Sequence, residues 1–295
     1  MDKKEMTKLE EYFMRIGFKE PYDKPDLKTL IQLQEHFIRS VPFENLDIFC
    51  GEQIVLDFDA IFNKIVRCKR GGWCCENNQL FSWALKELGY NIINLGARSF
   101  NNKKNDYNPF VSHFITKVII DGKSFLADVG YGVSGQTWQP LELILDKKQP
   151  QGPGDYQFIE EKGMWHLVKF VRKIDIPNEA FAKSPLLSTN PCRRLYCFNM
   201  EPREINSFKE ICYYLQTSPD SQLNGKAICT LQTPTGVRAV IGKTYSEVTY
   251  SYQDGADLYD MSTVAEEEME KMFKEKFGID LKGKFVPQNT SYYTL

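Results

Sequence analysis

The sequence predicts an α+β protein, and three observations carry that reading. Apolar residues recur at helical spacing through the first 89 positions. From Asn91 the pattern changes to short β-branched and aromatic runs separated by turn residues, and the last third mixes helical patches with strands. With 295 residues the chain is long enough for two or three compact units. We divide it into a helical bundle at 1–89, an antiparallel sheet or barrel at 90–200, and a helical connector with further strands, a helix and a tail at 201–295.

In the first unit Met6, Leu9, Tyr12, Phe13 and Ile16 precede Gly17, and Leu27, Leu30, Ile31, Gln34, Phe37 and Ile38 repeat the pattern behind Asp26, a residue suited to an N-cap. A third helix follows Asp57, with Phe58, Ile61, Phe62, Ile65 and Val66 on one face. The fourth starts near Cys74, carries the stripe Leu80, Phe81, Ala84, Leu85 and Leu88, and meets Gly89 as a stop. Beyond it, His113 to Val129 is the clearest hairpin. Ser207 and Glu210 match a capping box for a helix over about 203 to 216. Strands return at 227–231 and 237–241, split by Thr233-Pro234-Thr235-Gly236. A last helix near 264 to 277, opened by Thr263 and Glu266, stops at Gly278 before a Tyr-rich tail.

Charge and hydropathy exclude several functions. Thirty-seven basic residues stand against 39 acidic ones, a net charge of -2, without the basic footprint of a nucleic-acid binder or a membrane anchor. Mean hydropathy is -0.42, no apolar stretch approaches the roughly 18 residues of a bilayer span, and the first six residues lack an apolar signal region. A cytoplasmic protein is expected. Eight cysteines in a chain of this length read as reduced thiols. There is no C-x-x-C pair and the three histidines, His36, His113 and His166, are scattered, so no metal site is expected. The lone sequon at Asn289 reads as accidental.

The most unusual local string is Arg70-Gly71-Gly72-Trp73-Cys74-Cys75-Glu76-Asn77-Asn78, a glycine pair and then a thiol at the start of an amphipathic helix. Unpaired N–H groups and the positive end of the helix dipole favour thiolate over thiol there. A Cys at a helix start is by itself more often buried filler, so partners decide. Cys75 is expected to point elsewhere on the helix.

The hairpin supplies partners. With Asp121-Gly122 as the centre of a type I′ turn, Ile120 faces Lys123, Ile115 faces Asp128, and His113 sits one diagonal step beyond. His113 and Asp128 then share a face at a diagonal of roughly 7 Å, which their side chains can bridge. An acid at the end of the apolar run Phe125-Leu126-Ala127 also requires a partner if it is buried. Thiol, imidazole and carboxylate make a Cys-His-Asp nucleophilic site suited to acyl transfer. Gly130-Tyr131-Gly132-Val133-Ser134-Gly135 fits G-x-G-x-x-G, but Gln136 to Pro140 shows no helical stripe and the preceding strand is half of an antiparallel hairpin, so a dinucleotide site is not expected. These glycines instead keep a loop thin beside the site.

These residues resemble a known family. Arg70-Gly71-Gly72-Trp73-Cys74 with Glu76 and Asn78, the upstream Val41-Pro42-Phe43-Glu44-Asn45-Leu46, His113, the Ala127-Asp128-Val129-Gly130-Tyr131-Gly132 string, and the segments at 214–219 and 231–234 are similar, in order, to the arylamine N-acetyltransferases, the last two to their vertebrate branch. The resemblance covers essentially the whole chain. It implies a three-part, cysteine-protease-like fold of helical bundle, β-barrel and C-terminal α/β lid. It also implies a ping-pong reaction in which Cys74 takes acetyl from acetyl-CoA and passes it to an arylamine, arylhydrazine or N-hydroxyarylamine, with His113 moving protons and Asp128 orienting it. Pro109, Phe110, Tyr214, Asp220 and Tyr292 are the residues it implies for acetyl-CoA, and Phe43, Ser112 and Tyr131 for the acceptor. Val133 and Gly135 replace the larger or charged side chains of vertebrate relatives. A monomer acting in xenobiotic metabolism without a metal is the corresponding expectation. Two alternatives stay open at this point: a transglutaminase or papain-like enzyme, the latter disfavoured by the short gap from Cys74 to His113, and a coenzyme A-binding module with an inert thiol.

Overall fold

Side-chain caps from Thr7, Asp26 and Asp57 start three helices of the first ninety residues. In the computed structural model, which describes residues 6–187 and 190–288, Thr7 and Glu10 form a capping box on Lys8–Ile16, and Gly17 ends that helix in the left-handed region at φ 69°. Asp26 accepts the Thr29 N–H at 2.8 Å and caps Leu27–Ser40. Asp57 caps Phe58–Phe62, after which the chain widens into a π-helical turn over Asn63–Arg67 instead of continuing as α-helix. The fourth helix is Cys74–Glu87, and Gly89 follows at φ 81°. Its first five residues, Cys74 to Asn78, are all buried, three of them polar, so its start is held by bonds as well as apolar packing. A four-residue helix at Leu46–Phe49 and the short strand Phe43–Glu44 escape the sequence pattern because they are too short for a period to show.

The second part is one antiparallel sheet. Its strands run in the order Leu141–Glu142, Lys123–Ala127, His113–Ile120, Asn91–Asn101, Cys192–Pro202, Met164–Phe170, Gly154–Glu161 and Gln149–Gln151, with Asp106–Tyr107 folded onto Asn91–Asn101. A bridge from Leu145 to Phe158 links the two ends, so the sheet nearly closes into a barrel. Leu95, Ile115, Leu126, Tyr156, Phe158, Leu167, Tyr196 and Phe198 fill its inside.

The C-terminal sheet has six strands, Phe43–Glu44, Ile228–Gln232, Gly236–Ile241, Thr244–Gln253, Ala256–Thr263 and Ile174–Asp175. Its edges come from the first and second parts of the chain, and the helix Met269–Phe277 packs on it through Met269, Phe273 and Phe277. The long strands at 244–253 and 256–263 were not singled out by the sequence pattern.

Two caps differ from expectation. The Ser207 hydroxyl donates back to the Glu204 carbonyl at 2.7 Å, so no Ser207–Glu210 box forms; a 3₁₀ turn at Ile205–Phe208 precedes the helix Lys209–Thr217. Thr263 ends a strand, and a 3₁₀ turn over Glu266–Glu268 delays the last helix to Met269. At Ser207 local bonding of the hydroxyl competes with helix capping. Among the described residues no helix is long and apolar enough to cross a membrane.

Candidate functional site

The glycine pair before Cys74 allows two backbones to meet. A Cβ on Gly71 would collide with the Pro42 carbonyl oxygen, and across this contact Gly72 N–H donates to Pro42 O at 3.2 Å while Glu44 N–H donates to Gly72 O at 3.0 Å. A buried charge network then fixes the helix start. Arg70 donates to both oxygens of Glu44 at 3.0 and 3.1 Å and to Asp47 at 2.6 Å. Lys64 contacts Asp47 at 2.6 Å and Glu76 at 2.9 Å. Glu76 in turn accepts the Trp73 N–H at 3.1 Å. Burial pushes the Glu76 carboxyl up to about 7, against the pull of Lys64.

The hairpin has the predicted register. Ile120 pairs with Lys123, Asp121 and Gly122 have φ of 48° and 76°, and the last pair is Thr116 with Ala127. His113 Nε2 lies 2.7 Å from Asp128 Oδ2. What the sequence could not supply is the docking of this hairpin on the helix, and Asn78 provides it. Its side-chain amide donates to Phe114 O at 2.6 Å and Asp128 Oδ1 at 2.9 Å, while its carbonyl accepts Val129 N–H at 2.8 Å. Gly130 donates its N–H to Asp128 at 2.9 Å. A Cβ there would lie 2.8 Å from Cys74 Cα, so the thin-loop reading of this glycine agrees with the packing.

Cys74, His113 and Asp128 are thereby brought together. Since Nε2 of His113 is held by Asp128, Nδ1 is the ring nitrogen left to act on the Cys74 sulfur, whose ionisation the imidazole favours. The Cys74 thiol is lowered to about 5: the neighbouring Cys75 thiol contributes most, burial opposes, and His113 adds its bond and charge. Burial works against a charged His113, yet Asp128 and then Cys74 raise it to about 10. Asp128 stays below the usual carboxylate range, because His113, Asn78 and Gly130 together outweigh burial. The arrangement is that of a thiolate–imidazolium pair braced by a carboxylate.

Cys75 departs from expectation. Instead of pointing away, its sulfur lies 3.9 Å from that of Cys74, and the two sulfurs approach the same Ser112 carbonyl oxygen at 3.9 and 3.5 Å. At the first turn of a helix the side chains lean toward the N-terminus, here into the cleft under the hairpin.

Around this centre, Tyr131 sets its ring edge-on to His113 at 5.3 Å and donates its hydroxyl to Leu195 O at 2.9 Å. The ring fills the space a Cβ on Gly135 would need. Phe43 packs on Gly132, where φ is 71° and a Cβ would lie 2.8 Å from the ring. Phe110, half-buried, meets the exposed Tyr214 ring at 5.6 Å. Pro109 is exposed on the loop before them, and Asp220 is exposed in the turn after the Lys209–Thr217 helix, its N–H on Ser218 Oγ at 3.2 Å. Tyr292 lies outside the described residues. Two neighbours were missed by sequence reasoning. Tyr196 sets its ring 5.1 Å from that of His113, and Gln136 donates to Asp128 O while accepting Tyr131 and Gly132 N–H. Both come from elements whose approach depends on barrel closure, so no local spacing announces them. His36 bonds Ile16 O and His166 bonds the Tyr107 hydroxyl. Neither enters the site.

The loop at 130–135 makes a 3₁₀ turn after an antiparallel strand, without the strand-to-helix start of a dinucleotide fold.

Comparison with known proteins agrees with this geometry. A family model described as N-acetyltransferase matches residues 26–286. The chain is 50% identical over 288 residues to the arylamine N-acetyltransferase pineal gland isozyme NAT-10 of Gallus gallus, covering 97% of this chain and 99% of the relative. It is 43% identical to arylamine N-acetyltransferase 1 of Homo sapiens, covering 95% and 97%. Among solved structures, the arylamine N-acetyltransferase of Mycobacterium smegmatis superposes with a TM-score of 0.79 at 25% identity, covering 92% of each chain. That of Salmonella typhimurium superposes at 0.78 and 24%, covering 95% of each. The fold and these relatives define an acyltransferase enzyme and decide against a transglutaminase, a papain-like peptidase or an inert module. The chain belongs to the arylamine N-acetyltransferase family.

Proposed function

We propose that the protein transfers acetyl from acetyl-CoA to arylamines and arylhydrazines, and to the oxygen of N-hydroxyarylamines, by a ping-pong mechanism through an acetyl-Cys74 intermediate. The observation that carries this reading is that one hairpin brings the His113–Asp128 pair, bonded at 2.7 Å, to the buried Cys74, whose sulfur lies 3.5 Å from the carbonyl of Ser112, the residue before His113. Cys74 thiolate attacks the thioester carbonyl, and the departing coenzyme A sulfur takes the proton held by His113. The amine then attacks acetyl-Cys74. His113, neutral after the first half, accepts the amine proton, and the collapse of the adduct restores the thiolate–imidazolium pair. Asp128 holds the ring orientation throughout. A related enzyme from Mycobacterium marinum, of the same fold at TM-score 0.77, has been solved in complex with CoA.

Pro109, Phe110, Tyr214, Asp220 and Tyr292 would contact the acetyl-CoA, and Phe43, Ser112 and Tyr131 the acceptor. The spans 1–89, 90–200 and 201–295 would serve as the Cys-bearing, the His- and Asp-bearing and the covering parts of a monomer that clears xenobiotic amines in the cytoplasm. The test is isotope exchange between acetyl-CoA and labelled free coenzyme A in the absence of any amine. Exchange that Cys74→Ala abolishes is expected. Exchange only when amine is present would show a ternary complex and overturn the ping-pong reading.

A further inference from the structure

Cys74 and Cys75 are adjacent in sequence, their sulfurs lie 3.9 Å apart, and both approach the Ser112 carbonyl. Cys50, Cys68, Cys192, Cys197, Cys212 and Cys229 make no such sulfur–sulfur contact among the described residues. Thiolate bonds to a soft centre run about 2.3 Å, which places two sulfurs on one such centre roughly 3.5 to 3.8 Å apart. The pair needs little movement to reach that span. Among the described residues no cluster of three or more His, Cys, Asp or Glu side chains is set to hold a metal ion, so a centre that demands three or four protein ligands is not provided for. A trivalent centre that brings its own organic substituent demands only two.

We propose that Cys74 and Cys75 form a dithiol site for trivalent organoarsenicals, in which an aryl-substituted arsenic bridges the two sulfurs and the ring lies toward Tyr131. The chemistry balances without any change of oxidation state. An arylarsonous acid, RAs(OH)₂, loses two As–O bonds and gains two As–S bonds. The Cys74 thiolate attacks first, the hydroxide it displaces takes the proton of the His113 imidazolium, and the second hydroxyl leaves as water with the Cys75 thiol proton. Arsenic remains trivalent, and two waters are released. The aryl group has a stacking partner in Tyr131, whose ring lies 5.3 Å from that of His113 and rests over Gly135, which has no side chain to exclude it. Cys74 retains 8% exposure, so the entering atom meets the more reactive thiol first. This site depends on the two sulfurs alone and stands whether or not Cys74 carries acetyl during turnover.

The probe is phenylarsine oxide, which hydrates to the arylarsonous acid, and the readout is intact mass and peptide mapping. One phenylarsenic group is expected on the peptide containing both cysteines, with both thiols lost to iodoacetamide together. The adduct should persist in excess 2-mercaptoethanol and come off with 2,3-dimercaptopropanol. Cys75→Ser keeps a hydrogen-bond donor beside Cys74 and leaves one sulfur, so its adduct should fall to monothiol on the order of 100-fold more readily, the loss of a second tether. An adduct equally labile to monothiol in both proteins, one that leaves Cys75 free to alkylate, or no adduct on a Cys74 that iodoacetamide does modify would overturn the proposal. The wild-type mapping and reversal decide the matter even if the variant fails to fold.

Discussion

His113 and Asp128 meet at 2.7 Å across a hairpin diagonal, neither more than 3% exposed. Two ionised groups at that depth hold each other's charge, since burial opposes both. Asn78, from a different element, occupies the second carboxylate oxygen, so the same contact that orients the imidazole docks the helix bearing Cys74.

Asp128→Asn keeps the shape but loses the charge and bonds Nε2 with the wrong donor set. We expect kcat to fall on the order of 10³- to 10⁴-fold with the fold retained. Asp128→Ala should in addition lose about 3 to 5 kcal/mol, because it leaves His113 buried without its partner. Steady-state kinetics and urea unfolding at pH 7 separate the two effects. Near-normal turnover in Asp128→Asn would contradict the bracing role.

Ionisation of Cys74 makes alkylation a direct probe. The rate with iodoacetamide should rise through about pH 5 and level off well below the ordinary thiol range. Cys75→Ala removes the leading hydrogen bond and should move the midpoint upward, while Cys75→Ser should hold it down. A wild-type midpoint near 8.5 would mean an unactivated thiol.

Folding stability should depend on pH through the same groups. Asp128, lowered from 3.8 on folding, contributes stability that is complete above about pH 4 and lost as pH falls through the lowered value. His113, raised from 6.5 to about 10, contributes stability that is fully present below about 6.5 and lost as pH rises through about 10. Cys74, lowered from 9.0 to about 5, gains stability over the interval between those values and offsets the loss. In Cys74→Ala that offset disappears, so urea midpoints should decline between pH 6.5 and 9. A flat profile would show that His113 is not held protonated.

Two glycines separate docking from acceptor choice. Gly130→Ala puts a methyl 2.8 Å from Cys74 Cα and should cut acetylation of Cys74 by displacing hairpin from helix. Gly135→Ala drives a Cβ into the Tyr131 ring and should raise the KM for the amine while leaving the exchange between acetyl-CoA and coenzyme A close to wild type. The reverse pattern would place Tyr131 outside the acceptor pocket.

Arg70→Ala leaves the buried Glu44 without the cation that contacts it and leaves Asp47 with Lys64 alone. A loss of about 3 to 5 kcal/mol in denaturant unfolding is expected, and a change within error would mean that water enters the network.

Much of this site is legible in local spacing because its parts are local. The turn at Asp121-Gly122 sets the register that joins His113 to Asp128, and a period-2 strand leaves no freedom to slip by one. Likewise the helix start at Cys74 follows from the glycine pair and the stripe behind it. The docking of helix on hairpin is not legible, because Asn78 is one polar residue among several and its three partners lie 36 to 51 positions away. The direction of Cys75 was misjudged for a related reason: adjacent helical residues diverge around the axis, but at the first turn both side chains lean into the same cleft. Caps built on Ser207 and Thr263 failed because a hydroxyl can satisfy a nearby carbonyl or end a strand as readily as it starts a helix.

If Cys74 carries the acetyl group between donor and acceptor, it must hold that group when no amine is present. Intact-mass spectrometry after mixing the protein with acetyl-CoA and no amine, followed by peptide mapping and addition of an arylamine, tests it most directly. One acetyl group on Cys74 that the amine removes is the expected result. No adduct, or an adduct on another residue that the amine leaves in place, would contradict it.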